Sequence, residues 1–173
     1  MTDPFELLGV ARRFSLDRAA LEQRHRDLSR TLHPDRYTQA PAGERRMALE
    51  RAVAVNEAFR ALRDPLTRAD ALLSAHGVSV GDAERPSQAL LMEIMDLRES
   101  LDDARRSPDK VTALLSQVRA RSKSEEATLA AVFDVETAPP ADALAAARDA
   151  LVRLKYFRRF EDEADAALEA HDT

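Results

Sequence analysis

A proline standing between two amphipathic helices constrains this fold more than any other feature. Upstream, residues Asp17 to Leu32 place Leu21, Leu28 and Leu32 on one stripe at 3.6 residues per turn. Downstream, residues Pro41 to Arg63 repeat the pattern with Ala48, Ala52, Val55, Phe59 and Leu62. Between them lies His33-Pro34-Asp35. Pro34 has no N–H to donate and disfavours helix at His33, so the first helix must stop there. The spacing therefore predicts an antiparallel helical hairpin, with a rigid loop at its tip holding an imidazole and a carboxylate outward.

The rest of the chain reads as helix too. Only four of the 173 residues are glycine, and Ala, Leu, Arg and Glu abound, which predicts an all-α protein. Asp3 with Pro4 caps a short opening helix, and Asp17 caps the next. Asp64-Pro65 breaks the third helix and starts a fourth through Leu66, Ala69, Leu72 and Leu73, which stops at Gly77. Residues 78–86 lack helical periodicity and read as a linker. Three helices follow, from Ser87 to Arg106, Asp109 to Asp134 and Ala141 to Ala170, and their short connections predict an antiparallel three-helix bundle. The expected domains are 1–77, a linker at 78–86, and a bundle at 87–173.

Several chemistries are excluded or disfavoured. The chain has no cysteine, so it holds no disulfide, cysteine zinc site or cysteine-ligated cluster. No apolar run approaches the roughly 20 residues of a membrane helix. No charged leader with an apolar core precedes Asp3, so a cytoplasmic protein is expected. Residues 1–77 hold 13 Lys+Arg and 11 Asp+Glu, a net of +2, whereas residues 78–173 hold 13 and 20, a net of −7. The basic residues show no aromatic-studded stripe, which argues against nucleic-acid binding. His33 and Asp35 alone could be an acid–base pair or part of a metal site. Motif places no third ligand or nucleophile beside them, however, and His25, His76 and His171 are scattered.

Two surfaces remain. On the Asp17–Leu32 helix, Gln23, Arg26 and Arg30 lie opposite the leucine stripe, and Arg36 follows the tripeptide. Arginines beside a rigid loop suit an acidic protein partner, although Glu22 and Asp27 on the same helix also fit a plain solvated face. On the first bundle helix, Leu90, Ile94, Leu97 and Leu101 make a sufficient core stripe. Leu91, Met92 and Met95 are then surplus apolar residues on another arc, next to Asp96, Glu99 and Asp103. In the last helix Tyr156 and Phe160 fall off the stripe of Leu144, Ala147, Leu151 and Leu154. Periodicity alone leaves open whether these surplus residues face a partner or the interior.

The first surface resembles the J-domain, the module by which co-chaperones stimulate DnaK-type ATPases. Asp3-Pro4-Phe5-Glu6-Leu7-Leu8-Gly9, His33-Pro34-Asp35 and Val55-Asn56-Glu57-Ala58-Phe59 through Asp64-Pro65, with Arg68 and Ala69, stand in J-domain order. The resemblance implies that the loop binds the chaperone ATPase through His33, Pro34, Asp35, Arg26, Arg30 and Arg36. The chain departs from the usual pattern at His25 (commonly aromatic, here expected as a partly buried packing residue), at Leu32 and at Arg36.

Further on, Leu90-Leu91-Met92-Glu93, Leu97-Arg98-Glu99 and Leu154-Lys155-Tyr156-Phe157 resemble the C-terminal segments of the HscB family of iron–sulfur co-chaperones. That resemblance implies a chaperone partner of the HscA type and a cluster scaffold of the IscU type. The scaffold would sit on Leu91, Met92, Met95, Asp96, Glu99, Asp103 and Tyr156. It also implies no catalysis, no metal and no cofactor in this chain. A J-domain adaptor with a different client is the alternative. A monomer is expected, with a weak dimer through the drifting stripe of the last helix left open.

Overall fold

The computed structural model describes residues 3–81 and 85–171. Seven α-helices account for most of them, and among the described residues there is no strand. The helices are α1 (Pro4–Leu8), α2 (Arg18–Thr31), α3 (Ala42–Arg63), α4 (Pro65–Ala75), α5 (Gln88–Ala104), α6 (Pro108–Phe133) and α7 (Ala141–Glu169). The chain folds as two compact units, residues 1–78 with 133–138, and residues 79–132 with 139–173.

In the first unit α3 is the spine, packed against α1, α2 and α4. Its buried stripe of Ala48, Val55, Ala58 and Leu62 meets Phe5 and Leu8 of α1 and Leu21 of α2 in the apolar interior. His25 of α2 stacks on Phe59 of α3 at 4.2 Å, and its Nε2 lies 2.8 Å from the Asn56 side-chain oxygen. His25 is thus the half-buried packing residue expected of it. Helix ends follow the local chemistry. Asp17 accepts from the amides of Ala19 and Ala20, and Asp64 from those of Leu66 and Thr67. Gly9 closes α1 at φ 63°. Arg24 donates from Nε to the Leu8 carbonyl at 3.1 Å, tying α2 to the end of α1.

Residues 133–138 belong to this unit through particular contacts. Phe133 is buried and stacks against His76 at 6.0 Å. The Asp134 carboxylate accepts from the backbone N–H groups of Phe14 (2.8 Å) and Ser15 (3.0 Å). Phe14 is itself buried, with the Arg68 guanidinium 5.1 Å from its ring centre.

The second unit is a bundle of α5, α6 and α7, and its ion pairs reveal the helix directions. Arg98 of α5 pairs with Glu163 of α7, and Glu93 of α5 with Arg153 of α7, so these two helices run the same way. Arg119 of α6 pairs with Asp165, and Ser122 donates to Glu161, so α6 runs against α7. The interior holds Leu90, Ile94, Leu97 and Leu101 from α5, Val111, Leu115, Val118 and Leu129 from α6, and Leu151, Leu154, Phe157 and Phe160 from α7. Phe160, off the stripe by periodicity, is buried, because α7 is enclosed over more than one face. Val80 is also buried, and its carbonyl accepts from Lys155 Nζ at 3.4 Å.

Candidate functional site

The tip of the α2–α3 hairpin is more ordered than a loop. After Leu32 the chain extends at His33 (φ −61°, ψ 133°), as the residue before a proline must, and then makes one 3₁₀ turn over Pro34–Tyr37. His33 caps that turn with its own ring: Nδ1 accepts from the Asp35 N–H at 3.3 Å. The Arg36 N–H donates to the His33 carbonyl at 3.0 Å, the Thr38 hydroxyl to the Asp35 carbonyl at 3.3 Å, and the Tyr37 hydroxyl to the Thr31 carbonyl at 3.5 Å. These bonds restrain the backbone while leaving the His33 and Asp35 side chains exposed. The imidazole remains 59% exposed and the Asp35 carboxylate 86% exposed, 3.4 Å apart.

Of the predicted arginines, Arg26 and Arg30 lie on α2 ahead of this turn, with exposed polar partners on their own helix. Arg26 donates to the Gln23 side-chain oxygen at 2.8 Å and lies 3.9 Å from Glu22. Arg30 lies 3.8 Å from Asp27. Pairs this long and exposed add little stability, so the guanidinium groups are available to another protein. Arg36 is exposed just past the turn. Glu22 is held below the usual carboxylate range, first by the hydrogen bond from Arg18, so α2 keeps a mixed charge. Among the described residues, no cluster of three or more His, Cys, Asp or Glu side chains could hold a metal ion.

On α5 the fold settles what periodicity left open, the burial of the two arcs. Leu90, Ile94, Leu97, Leu101 and Ala104 are buried, while Leu91, Met92, Met95, Asp96, Glu99 and Asp103 are all exposed. Leu91 and Met95, four residues apart, lie one above the other, with Met92 beside them. Tyr156 is on a different helix. It is half-buried, and the Arg159 guanidinium lies 5.4 Å from its ring centre.

The core stripe of α3 did not single out one further pair. Leu49 and Val53 are exposed aliphatics one turn apart, and Leu49 lines a cavity that Pro34 also lines. The surplus-apolar argument that marks Leu91 and Met95 would have found them.

A helical hairpin carrying His-Pro-Asp at its tip, followed by a three-helix bundle, defines a J-domain co-chaperone. Comparisons with known proteins narrow the class. The family model of the HscB C-terminal oligomerisation domain matches residues 86–165. The co-chaperone protein HscB homolog of Aromatoleum aromaticum is 37% identical over 177 residues, covering 99% of this chain and 96% of that protein. Its counterpart in Bordetella pertussis is 41% identical over 134 residues, 76% of this chain and 79% of that protein. The solved structure of chaperone HscB from Vibrio cholerae matches with a TM-score of 0.83 at 29% identity, covering 98% of this chain and 99% of that one. The crystal structure of human co-chaperone protein HscB matches at 0.82 and 28%, covering 96% of this chain and 82% of that one. This chain belongs to the HscB co-chaperone family.

Proposed function

We propose that this protein couples a DnaK-type chaperone of the HscA kind to an iron–sulfur scaffold of the IscU kind, and that it does so in the cytoplasm. Residues 1–77 act as the J-domain, 78–86 as a link and 87–173 as the scaffold-binding bundle. In this reading Asp35 is a charge and hydrogen-bond anchor on the chaperone, His33 a polar contact and cap, and Pro34 the rigid element. Arg26, Arg30 and Arg36 attract the acidic partner surface. Leu91, Met92 and Met95 give the scaffold an apolar footprint, with Asp96, Glu99 and Asp103 beside it and Tyr156 contributed by α7. The observation that carries the reading is the self-capped turn, which leaves the His33 imidazole and the Asp35 carboxylate exposed.

The test is steady-state ATP hydrolysis by an HscA-type chaperone, with this protein and an IscU-type scaffold added singly and together. Synergy is expected, and His33→Gln should remove it while scaffold binding survives. Stimulation that the scaffold does not enhance would keep the chaperone partner and reject the client, favouring a J-domain adaptor for another protein. A chaperone indifferent to the wild-type protein would sink the reading.

A further inference from the structure

Leu49 and Val53 are 59% and 49% exposed. They sit one turn apart on α3, away from the buried Ala48, Val55, Ala58 and Leu62. Their face is bounded on two sides by features of the hairpin. Next along α3 is Asn56, which binds His25 of α2, so this face runs up to α2. At its other end a cavity of about 210 Å³ opens behind the His-Pro-Asp turn, lined by Leu32, Pro34, Tyr37, Arg45, Ala48 and Leu49. Its floor is apolar, because Leu32 and Ala48 are buried core residues. Single exposed aliphatics on a surface are ordinary. Two of them in register, the first lining an apolar cavity that shares Pro34 with the exposed turn, are a formed feature.

We infer that Leu49 and Val53, with the cavity behind Pro34, form an apolar anchor within the chaperone-binding surface, taking an aliphatic side chain of the chaperone. This rests on the function proposed above. The occupant is argued from continuity and charge. Any protein that grips the His33-Pro34-Asp35 turn and the α2 arginines covers Pro34 and meets this cavity at its edge. The rim is cationic, with Arg45 at the cavity and Arg36 beside the turn, so the complementary surface is an apolar tip flanked by carboxylates. A second copy meeting this face with the same face is a poorer fit, because it would bring the same arginines against their own sign. The division of labour follows from the physics: arginine contacts steer the encounter and weaken with salt, whereas apolar burial holds the complex and is not screened.

The test uses the full chain and titrates it against the ATPase of an HscA-type chaperone at low and high salt. The variant is Leu49→Ser with Val53→Ser, whose exposed positions leave the core untouched, and its fold is checked by circular dichroism. The control is Met47→Ser, an exposed residue on another side of α3. The double variant should need about tenfold more protein for half-maximal stimulation. Its maximal rate should be unchanged, and the deficit should persist at high salt. The control should match wild type. A folded double variant with wild-type titration would overturn the anchor and leave the proposed function standing. An equal deficit in Met47→Ser would overturn its location. If wild type self-associates and the double variant abolishes only that, the occupant is a second copy and the inference is wrong. If wild type fails to stimulate at all, the anchor falls with the function it rests on.

Discussion

Gly9 shows how one residue couples backbone conformation to packing. Its φ of 63° lies in the left-handed region, and an added Cβ would stand 2.8 Å from an Arg24 guanidinium nitrogen. That guanidinium holds the Leu8 carbonyl, so it cannot swing away without releasing the end of α1. Gly9→Ala is therefore expected to lower stability by about 1–2 kcal/mol from backbone strain alone, read as a lower urea midpoint with an unchanged slope. Glu125 behaves differently. Burial raises its carboxyl above the ordinary range; Arg153 opposes the shift and Glu93 adds to it. A carboxyl with a raised folded pKa binds its proton more tightly in the native state. Its contribution favours the fold at low pH and is lost as pH rises from the ordinary glutamate range through the raised value. At neutral pH it weighs against the fold, so Glu125→Gln should raise the melting temperature at pH 7, with the gain shrinking on acidification. A lower melting temperature at pH 7 would mean that the 3.9 Å contact with Arg153 outweighs the burial.

Among the elements, what could be read in advance depended on whether the signal was local. Asp17, Asp64 and Ser87 cap helices with their own side chains, and prolines open α1 and α4, so those boundaries follow from neighbouring residues. On α5 the stripe of four core residues marked Leu91, Met92 and Met95 as surplus, but a bundle can bury a wide face, so periodicity left their exposure open and the fold decides it. Three features had no local signal. Phe160 is buried because α7 is covered over more than one face, which depends on its neighbours. The ring of His33 caps its own turn, a rotamer choice that no spacing encodes. Residues 133–138 join the first unit through Asp134, whose partners are about 120 positions away in sequence. Asp134→Ala leaves two backbone donors without their acceptor, at a cost of about 1–3 kcal/mol if water does not replace it. Hydrogen exchange at the Phe14 and Ser15 amides should accelerate relative to the α2 amides. Unchanged protection there would show that other groups take over the two donors.

Across the whole molecule, each unit has its own apolar core and its own exposed feature, and the formal charges differ, 0 for residues 1–78 with 133–138 and −5 for residues 79–132 with 139–173. A protein whose two partners bind different units should lose them separately. Met92 and Met95 are exposed, so replacing both with alanine removes apolar contact area without opening a cavity in the bundle. If they anchor the scaffold, Met92→Ala with Met95→Ala should weaken scaffold binding by about tenfold. Circular dichroism should be unchanged, and so should chaperone stimulation measured without scaffold. The neighbouring Asp96, Glu99 and Asp103 should act through association rate, since exposed charge speeds encounter more than it holds a complex. Their joint replacement by Asn, Gln and Asn should slow association at low salt and leave dissociation nearly unchanged. Calorimetry and stopped-flow mixing separate these outcomes. A methionine variant that binds the scaffold normally would move the site off α5. One that loses chaperone stimulation as well would show that the two surfaces do not work independently.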